Sequence, residues 1–348
     1  MIVKSADELY NLIKSALLAA GADERNADGG AEHLVSANLS GVDTHGINML
    51  PRYVKGIREG TIVPAAWPEI LNETPTSAWI TSNGTLGQVA AKFAMEVAIE
   101  KAARHNVAVV ALIHAHHIGR LGFYAELASS RGMISIICAG GFSEIDPIAV
   151  PHGGRRRVLH ANPIAMGFPA GDEPPLIIDY ATTSASRVKV VYAQRRKQAV
   201  PPGWIVDRDG NPTTDPNAFL EGGGLLPFGG HKGFALMLAT EYLGRIFTQA
   251  EQFATQGWDG PTFSHSGVAM VVFKADLFNP AEQYRTQADE LERRVRAVPP
   301  APGFEEVLVP GDMEHRTRRL RRSEGIPFPD DIWKTITEMA SSLGIVSV

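Results

Sequence analysis

A single cysteine, Cys138, stands among 348 residues, so no disulfide can form within the chain. That scarcity points to a reducing compartment, and the apolar run around it (Met133-Ile-Ser-Ile-Ile-Cys-Ala139) makes Cys138 a buried strand residue rather than a nucleophile. No apolar run approaches the roughly 20 residues needed to span a bilayer. The opening Met1-Ile-Val-Lys-Ser-Ala-Asp-Glu8 is too polar for a signal peptide, so a cytoplasmic protein with no membrane partner is expected. No block of one charge stands alone. The densest basic run, Arg316-Thr-Arg-Arg-Leu-Arg-Arg322, has a helical pattern with acids nearby, and the net charge is only −5; nucleic acid is not an expected partner. There is no GxGxxG, so a conventional dinucleotide fold has no support, no GxSxG elbow and no HExxH zinc motif.

What is present is enough apolar residue, 44%, to fill a sizeable core in two domains or one large α/β unit. The first 60 residues have helical spacing. Ser5 and Glu8 form a capping box, Leu9, Leu12, Ile13 and Leu17 repeat on one face, and Gly21 supplies the stop. A second helix carries Leu34, Val35 and Leu39 into Gly41, and a third runs through Tyr53 and Ile57 to Gly60. From about residue 68 short β-branched runs (78–81, 107–113, 134–137, 176–178, 268–273) alternate with helical stretches at 86–104, 121–131, 184–196, 231–248 and 281–297. This alternation predicts an α/β layer structure. Pro329 opens a last helix with Ile332, Ile336 and Met339 on one face. The Pro/Gly/Asp-rich region 200–230 is too long for a plain connection and reads as a functional loop or a flap.

Five segments could carry chemistry. His45 sits in Gly41-Val-Asp-Thr-His-Gly46, a short loop between helices, and histidine is the side chain suited to moving protons near neutral pH. In His114-Ala-His-His-Ile-Gly-Arg-Leu-Gly122 a strand gives way to a helix, and free N–H groups there suit an anion. Its three histidines lack a partner Glu or Cys that would complete a metal set, so no metal is expected. Asp179 ends the run Leu176-Ile-Ile-Asp179 ahead of a helix with Thr183 or Ser184 as N-cap; it could orient a histidine, hold a ribose, or only favour the helix dipole. Pro227-Phe-Gly-Gly-His-Lys-Gly233 opens a long helix with glycines and a lysine suited to a phosphate or carboxylate. Val309-Pro-Gly-Asp312 reads as a strand end before the last helices. Gly140-Gly141 with Arg155-Arg-Arg157 could cover the site or form a basic surface turn.

Taken together and in order, these segments resemble the malate/L-lactate dehydrogenase family, which is unrelated to the Rossmann-type lactate dehydrogenases. The resemblance runs from about residue 5 to 335. It rests on Asp43-Thr-His-Gly46 with Leu50-Pro-Arg-Tyr53, on His117-Ile-Gly119, Ala161-Asn-Pro163, Asp179-Tyr-Ala-Thr182 and Gly229-Gly-His-Lys-Gly233. It also rests on Pro201-Pro-Gly-Trp204, Pro212-Thr-Thr-Asp-Pro216 and Pro299-Pro-Ala-Pro-Gly303. Two departures stand out: Met49 where many members carry an arginine, and Ala115-His116 where Asn and Ser are common. Met49 and the stretch Ile118-Gly-Arg-Leu-Gly122 look more like the hydroxycarboxylate dehydrogenase B branch.

The resemblance implies an α/β fold with a non-Rossmann nicotinamide-binding domain, a mixed sheet and flanking helices. It implies a helical N-terminal domain over 1–75, against which the helical segment 312–348 packs, and an α/β cofactor domain over 76–311. A homodimer is expected, with NAD or NADP bound and the active site between domains. His45 is then the acid/base, Asp179 lies beside the cofactor and that histidine, and His117 lines the same site as an orienting group or alternative base. Cofactor contacts are expected from Gly119, Arg120 and Leu121, from Ile178, Asp179, Tyr180, Ala181 and Thr182, from His231 and Lys232, and from Pro310, Gly311 and Asp312. Met49 and Arg52 line the substrate, and with no arginine at 49 the carboxylate falls to Arg52 or Arg120. The expected reaction is reversible hydride transfer between a 2-oxo acid and a 2-hydroxy acid. Reduction of a cyclic imine carboxylate or a ureidoglycolate-type substrate, a dinucleotide binder without turnover, and a metal-dependent hydrolase are the competing readings.

Overall fold

A computed structural model describes residues 1–141, 146–250 and 266–345. Strand β1 (Ile2–Lys4) leads into α1 (Ala6–Ala19), where the Ser5 hydroxyl accepts from the Glu8 N–H and the Glu8 carboxylate accepts from the Ser5 N–H at 2.8 Å. Both halves of the capping box are therefore made. Asp23 caps α2 (Glu24–Leu39) in the same way, accepting from the Asn26 N–H at 2.7 Å. Two single 3-10 turns, Asp43–His45 and Ile47–Met49, join α2 to α3 (Leu50–Arg58), which has proline in its first turn.

The main sheet begins with the hairpin of β2 (Glu69–Thr74) and β3 (Ser77–Thr81). The alanine-rich α4 (Gly87–His105) then leads to β4 (Val107–Ala115), and α5 (Gly122–Ser130) to β5 (Met133–Gly140). Strands β6 (Ile164–Phe168) and β7 (Leu176–Tyr180) follow, then α6 (Arg187–Arg195). Region 200–230 is neither bare loop nor flap: β8 (Ile205–Val206), β9 (Pro212–Thr213), α7 (Asn217–Leu220) and β10 (Gly224–Leu225) build a small sheet of their own. It packs on a core with Val190, Phe219 and Met237. Helix α8 (His231–Glu241) runs on into a π-helical turn, Tyr242–Phe247.

Strand β11 (Ser266–Lys274) enters the middle of the main sheet, giving the order β2-β3-β4-β11-β5-β6-β7. Among the described strands of this sheet only β3 and β4 run parallel. The sheet is mixed, as expected, and its antiparallel centre separates it from a doubly wound nucleotide fold. Small residues on α4 (Ala91, Ala94, Ala98, Ala102) let that helix close onto Val110, Leu112, Met270 and Val272 of the central strands.

Helix α9 (Ala281–Arg296) precedes α10 (Asp312–Glu324), β12 (Ile326–Phe328) and α11 (Asp330–Ser342). Strand β12 pairs antiparallel with β1. Ile326, Phe328, Trp333 and Ile336 bury themselves among Leu9, Leu17, Leu34 and Tyr53 of the first helices. No strand precedes the Pro310 turn, contrary to the expectation for that segment. Among the described residues no helix is long and apolar enough to cross a membrane.

Candidate active site

His45 ends the first 3-10 turn, and the side chain of Asn38 on α2 fixes that turn at both ends. Its Nδ2 donates to Asp43 Oδ1 at 2.7 Å and its Oδ1 accepts from the Ile47 N–H at 2.8 Å. Gly46 is obligatory between them, since a Cβ there would lie 2.2 Å from Asn38 Oδ1. The His45 ring is half-buried, with Nδ1 3.0 Å from Thr44 Oγ1, which leaves Nε2 as the nitrogen for chemistry. Burial, with the Arg120 charge adding to it, lowers the ring to about 4. His45 is therefore neutral at pH 7, the form that accepts a proton.

His117, just beyond β4, stacks on His45. Its Nδ1 lies 2.8 Å from the hydroxyl of Tyr53 on α3, and the same hydroxyl accepts from Gln88 Nε2 at 2.6 Å. With the amide donating into it, the Tyr53 hydroxyl gives its own proton to His117 Nδ1. The neutral His117 ring then carries its hydrogen on Nε2. Burial pushes His117 well below the usual histidine range, and the rings of His45, His33 and His160 and the charge of Arg52 act the same way. Both rings are therefore neutral at pH 7. The remaining members of the histidine run are used elsewhere: His114 Nδ1 lies 3.0 Å from Thr81 Oγ1, and His116 is buried.

Asp179 lies within β7, and the next helix starts only at Arg187, so its cap is Ser186 and not the expected Thr183 or Ser184. Asp179 Oδ2 accepts from the Gly122 N–H at 2.7 Å, at the start of α5. Solvent reaches the side chain, yet the protein packed around it raises the carboxyl to about 6, while the Gly122 N–H and Arg120 pull the other way. Arg120 is buried; one nitrogen, Nη2, donates to Glu126 at 2.8 Å, and Nη1 has no partner among the described residues. The backbone N–H of Arg120 donates to His33 Nε2 at 2.9 Å. Gly119, at φ +75°, must be glycine for that contact, because a Cβ would stand 2.1 Å from the His33 ring. His33 is buried, and burial lowers it to about 3.

The other expected cofactor residues gather around the end of β7. Leu121 is buried and Ile178 half-buried, and the Tyr180 ring meets Phe228 edge-on at 5.4 Å. Ala181 is half-buried. The Thr182 hydroxyl donates to the carbonyls of Ala161 and Asn162, and the Thr182 carbonyl accepts from the Phe228 N–H, which draws the His231–Lys232 segment alongside. His231 and Lys232 are exposed at the start of α8. The Pro310 carbonyl accepts from the Ile177 N–H, so Gly311 also borders β7. Asp312 differs: its carboxylate is taken by Arg296 and the Val309 N–H.

Met49 packs against the N-terminal core, whereas Arg52 is exposed one residue before Tyr53. Arg157 is bound to the carbonyls of Phe219 and Gly223, which makes it a strut of the small sheet. Arg155 and Arg156 are exposed, Gly140 ends β5, and residues 142–145 between them lie outside the described residues. Sequence reading missed His33, Asn38, Gln88, Glu126 and His160. Each is a lone polar residue in an apolar-periodic or loop stretch, with no spacing signal to mark it.

Residues 4–337 match the malate/L-lactate dehydrogenase family. The chain belongs to that family. It is 36% identical to the L-sulfolactate dehydrogenase of Methanocaldococcus jannaschii over 346 residues, covering 99% of this chain and 98% of that protein. It is 34% identical to hydroxycarboxylate dehydrogenase B of Escherichia coli, with 98% and 94% covered. The crystal structure of malate dehydrogenase from Entamoeba histolytica superposes with a TM-score of 0.92 at 26% identity, covering 100% of this chain and 99% of that one.

Proposed function

We propose that this chain transfers hydride reversibly between a nicotinamide dinucleotide, NAD or NADP, and a 2-oxo/2-hydroxy acid, with His45 moving the proton. Family membership makes the chain an oxidoreductase of hydroxy and oxo acids, and dehydrogenases of this family use a nicotinamide cofactor. The observation that carries the assignment of roles is the stacked pair of His45 and His117, with Tyr53 fixing the proton on one of them.

The residues present suit such a cofactor. Arg120 Nη1 is a buried donor and Asn162 Oδ1 a buried acceptor, both without a partner among the described residues, and each sits beside the end of β7. Buried groups of this kind call for a polar ligand. Lys232 and His231, at the start of a helix preceded by two glycines of positive φ, suit its phosphates. Leu121, Ile178 to Thr182, Pro310 and Gly311 line the same edge; Asp312 acts by holding its turn. The cofactor supplies or takes the hydride.

The chain's own groups do the rest. In oxidation, His45 Nε2 accepts the hydroxyl proton, and in reduction it returns it. His117 Nε2–H holds the reacting oxygen. Arg52, whose charge is felt at His117, takes the carboxylate, with Arg187, paired to Asp146, behind it. Met49 lines the substrate without supplying charge. Tyr242, Leu243, Ile246 and Phe247 are exposed together beyond α8, an apolar patch that supports a homodimer. A reduced cytoplasmic setting suits the lone thiol, which burial raises to about 11. The test is oxidation of NADH and NADPH with a panel of 2-oxo acids and one cyclic imine carboxylate. Turnover of a 2-oxo acid is expected; cofactor binding with no turnover, or turnover of the imine alone, contradicts the reading.

A further inference from the structure

Helix α10 reaches back to both halves of the site through one face. Arg321 forks onto Asp43, with Nη1 to Oδ1 at 2.7 Å and Nη2 to Oδ2 at 3.0 Å, across 278 positions of chain. The same Nη1 donates to the Asn38 carbonyl. Asp43 begins the turn that His45 ends, and Asn38 ties Asp43 to Ile47, so Arg321 completes a closed set of bonds around the catalytic turn. One helical turn earlier, Thr317 lies against Gly41, 3.1 Å from where a Cβ would stand. Beside it, Arg318 donates to Ser40 Oγ at 2.7 Å and to Glu126 at 2.8 Å, and Glu126 in turn takes Arg120. Arg120 and Asp179 Oδ2 both border Gly122.

We infer that Arg321 is a positioning residue for the proton transfer, and that α10 braces the His45 turn against the Arg120–Asp179 side of the site. This rests on the reading of His45 as the proton carrier. The physical case is geometric. Asp43, Thr44 and His45 are all only partly buried and belong to none of the apolar cores. Beyond the stacking of His45 on His117 and the turn's own backbone bonds, it is therefore the side chains of Asn38 and Arg321 that tie the turn to its neighbours. A planar guanidinium forked on a carboxylate fixes direction as well as distance, which a lysine cannot do. Proton transfer tolerates little displacement: a shift of about 1 Å can cost on the order of 100-fold in rate.

Arg321→Met is expected to lower kcat at least ~10-fold, while the KM for the dinucleotide stays within about twofold and thermal unfolding shows an intact fold. Arg321→Lys, which keeps charge without the fork, is expected between the two. The deciding readout is the double variant: added to His45→Ala, Arg321→Met should cause no further loss, because its effect runs through His45. Wild-type kcat in Arg321→Met, or a full multiplied loss in the His45→Ala background, overturns the inference. Should Arg321→Met not fold, Asp43→Asn breaks the same fork from the other end and is read by the same comparison. Normal turnover by His45→Ala alone contradicts the underlying reading instead, and it does so without involving Arg321.

Discussion

The rings of His45 and His117 lie 5.2 Å apart, centroid to centroid, with their planes 23° from parallel. Two imidazolium charges at that separation would repel by about 3 kcal/mol at an effective dielectric of ~20, so the pair carries at most one proton beyond neutrality. Under the proposed assignment Tyr53 keeps His117 neutral by donating to it, and the changing charge falls to His45. The two histidines would then do different work, although either could serve as a base by residue type alone.

That division fixes a pH profile. Burial places His45 at about 4, so it is neutral above that pH and charged below it. For oxidation of a hydroxy acid, which needs the neutral ring, kcat/KM should climb through pH 4 and then stay level. Reduction needs the charged ring and should fall about tenfold per unit above pH 4. Rates in both directions from pH 3.5 to 8 check this. An oxidation limb centred near 6.5 would mean that His45 is not desolvated as described.

Buried neutral histidines also set the acid stability. His33 falls from 6.5 to about 3 through burial, so the unfolded chain binds its proton first. The stability this contributes is whole above pH 6.5 and is lost as pH falls from 6.5 toward 3, on the order of 5 kcal/mol in all. Tm measured against pH should fall across that window. His33→Gln, which keeps an acceptor for the Arg120 N–H, should flatten the fall. A wild-type Tm that is level from pH 6.5 to 4.5 would refute the account.

Tyr53→Phe removes the hydroxyl between Gln88 and His117 and leaves the buried Gln88 amide unpaired. A stability loss of about 1–3 kcal/mol is expected. Because His117 is then free to change tautomer, kcat should fall as well, by roughly tenfold. Denaturant unfolding and steady-state kinetics on one preparation measure both. Loss of stability with kcat unchanged would leave Tyr53 a packing residue only.

Arg52→Met should raise the KM for the acid by about 10- to 100-fold, the loss expected for a charge-assisted contact to a carboxylate. Dinucleotide binding, followed by nucleotide fluorescence, should not change. An unchanged KM for the acid would move the carboxylate to another cation.

Much of this was legible in the sequence where a local rule applies. The Ser5–Glu8 capping box, the β-branched runs of β4, β5 and β11, and the helices after them all lie close to where spacing places them. Strands β1 and β12 were not legible, because each is three residues long and exists only through pairing with the other. Strand β6 (Ile-Ala-Met-Gly-Phe) shows no alternation to betray it. The site divides the same way. His45, His117, Gly119 and Asp179 stand in motifs, but the bonds that assign their roles come from Tyr53, Gln88, His33 and Arg321 on other elements. Those meetings are products of packing, and no residue spacing encodes them.

The central claim is that His45 carries the proton. It is tested most directly by single-turnover hydride transfer in His45→Ala, with dinucleotide binding measured alongside. The account predicts turnover reduced by at least ~100-fold with dinucleotide binding kept within a few-fold. Near-normal hydride transfer in His45→Ala would contradict it.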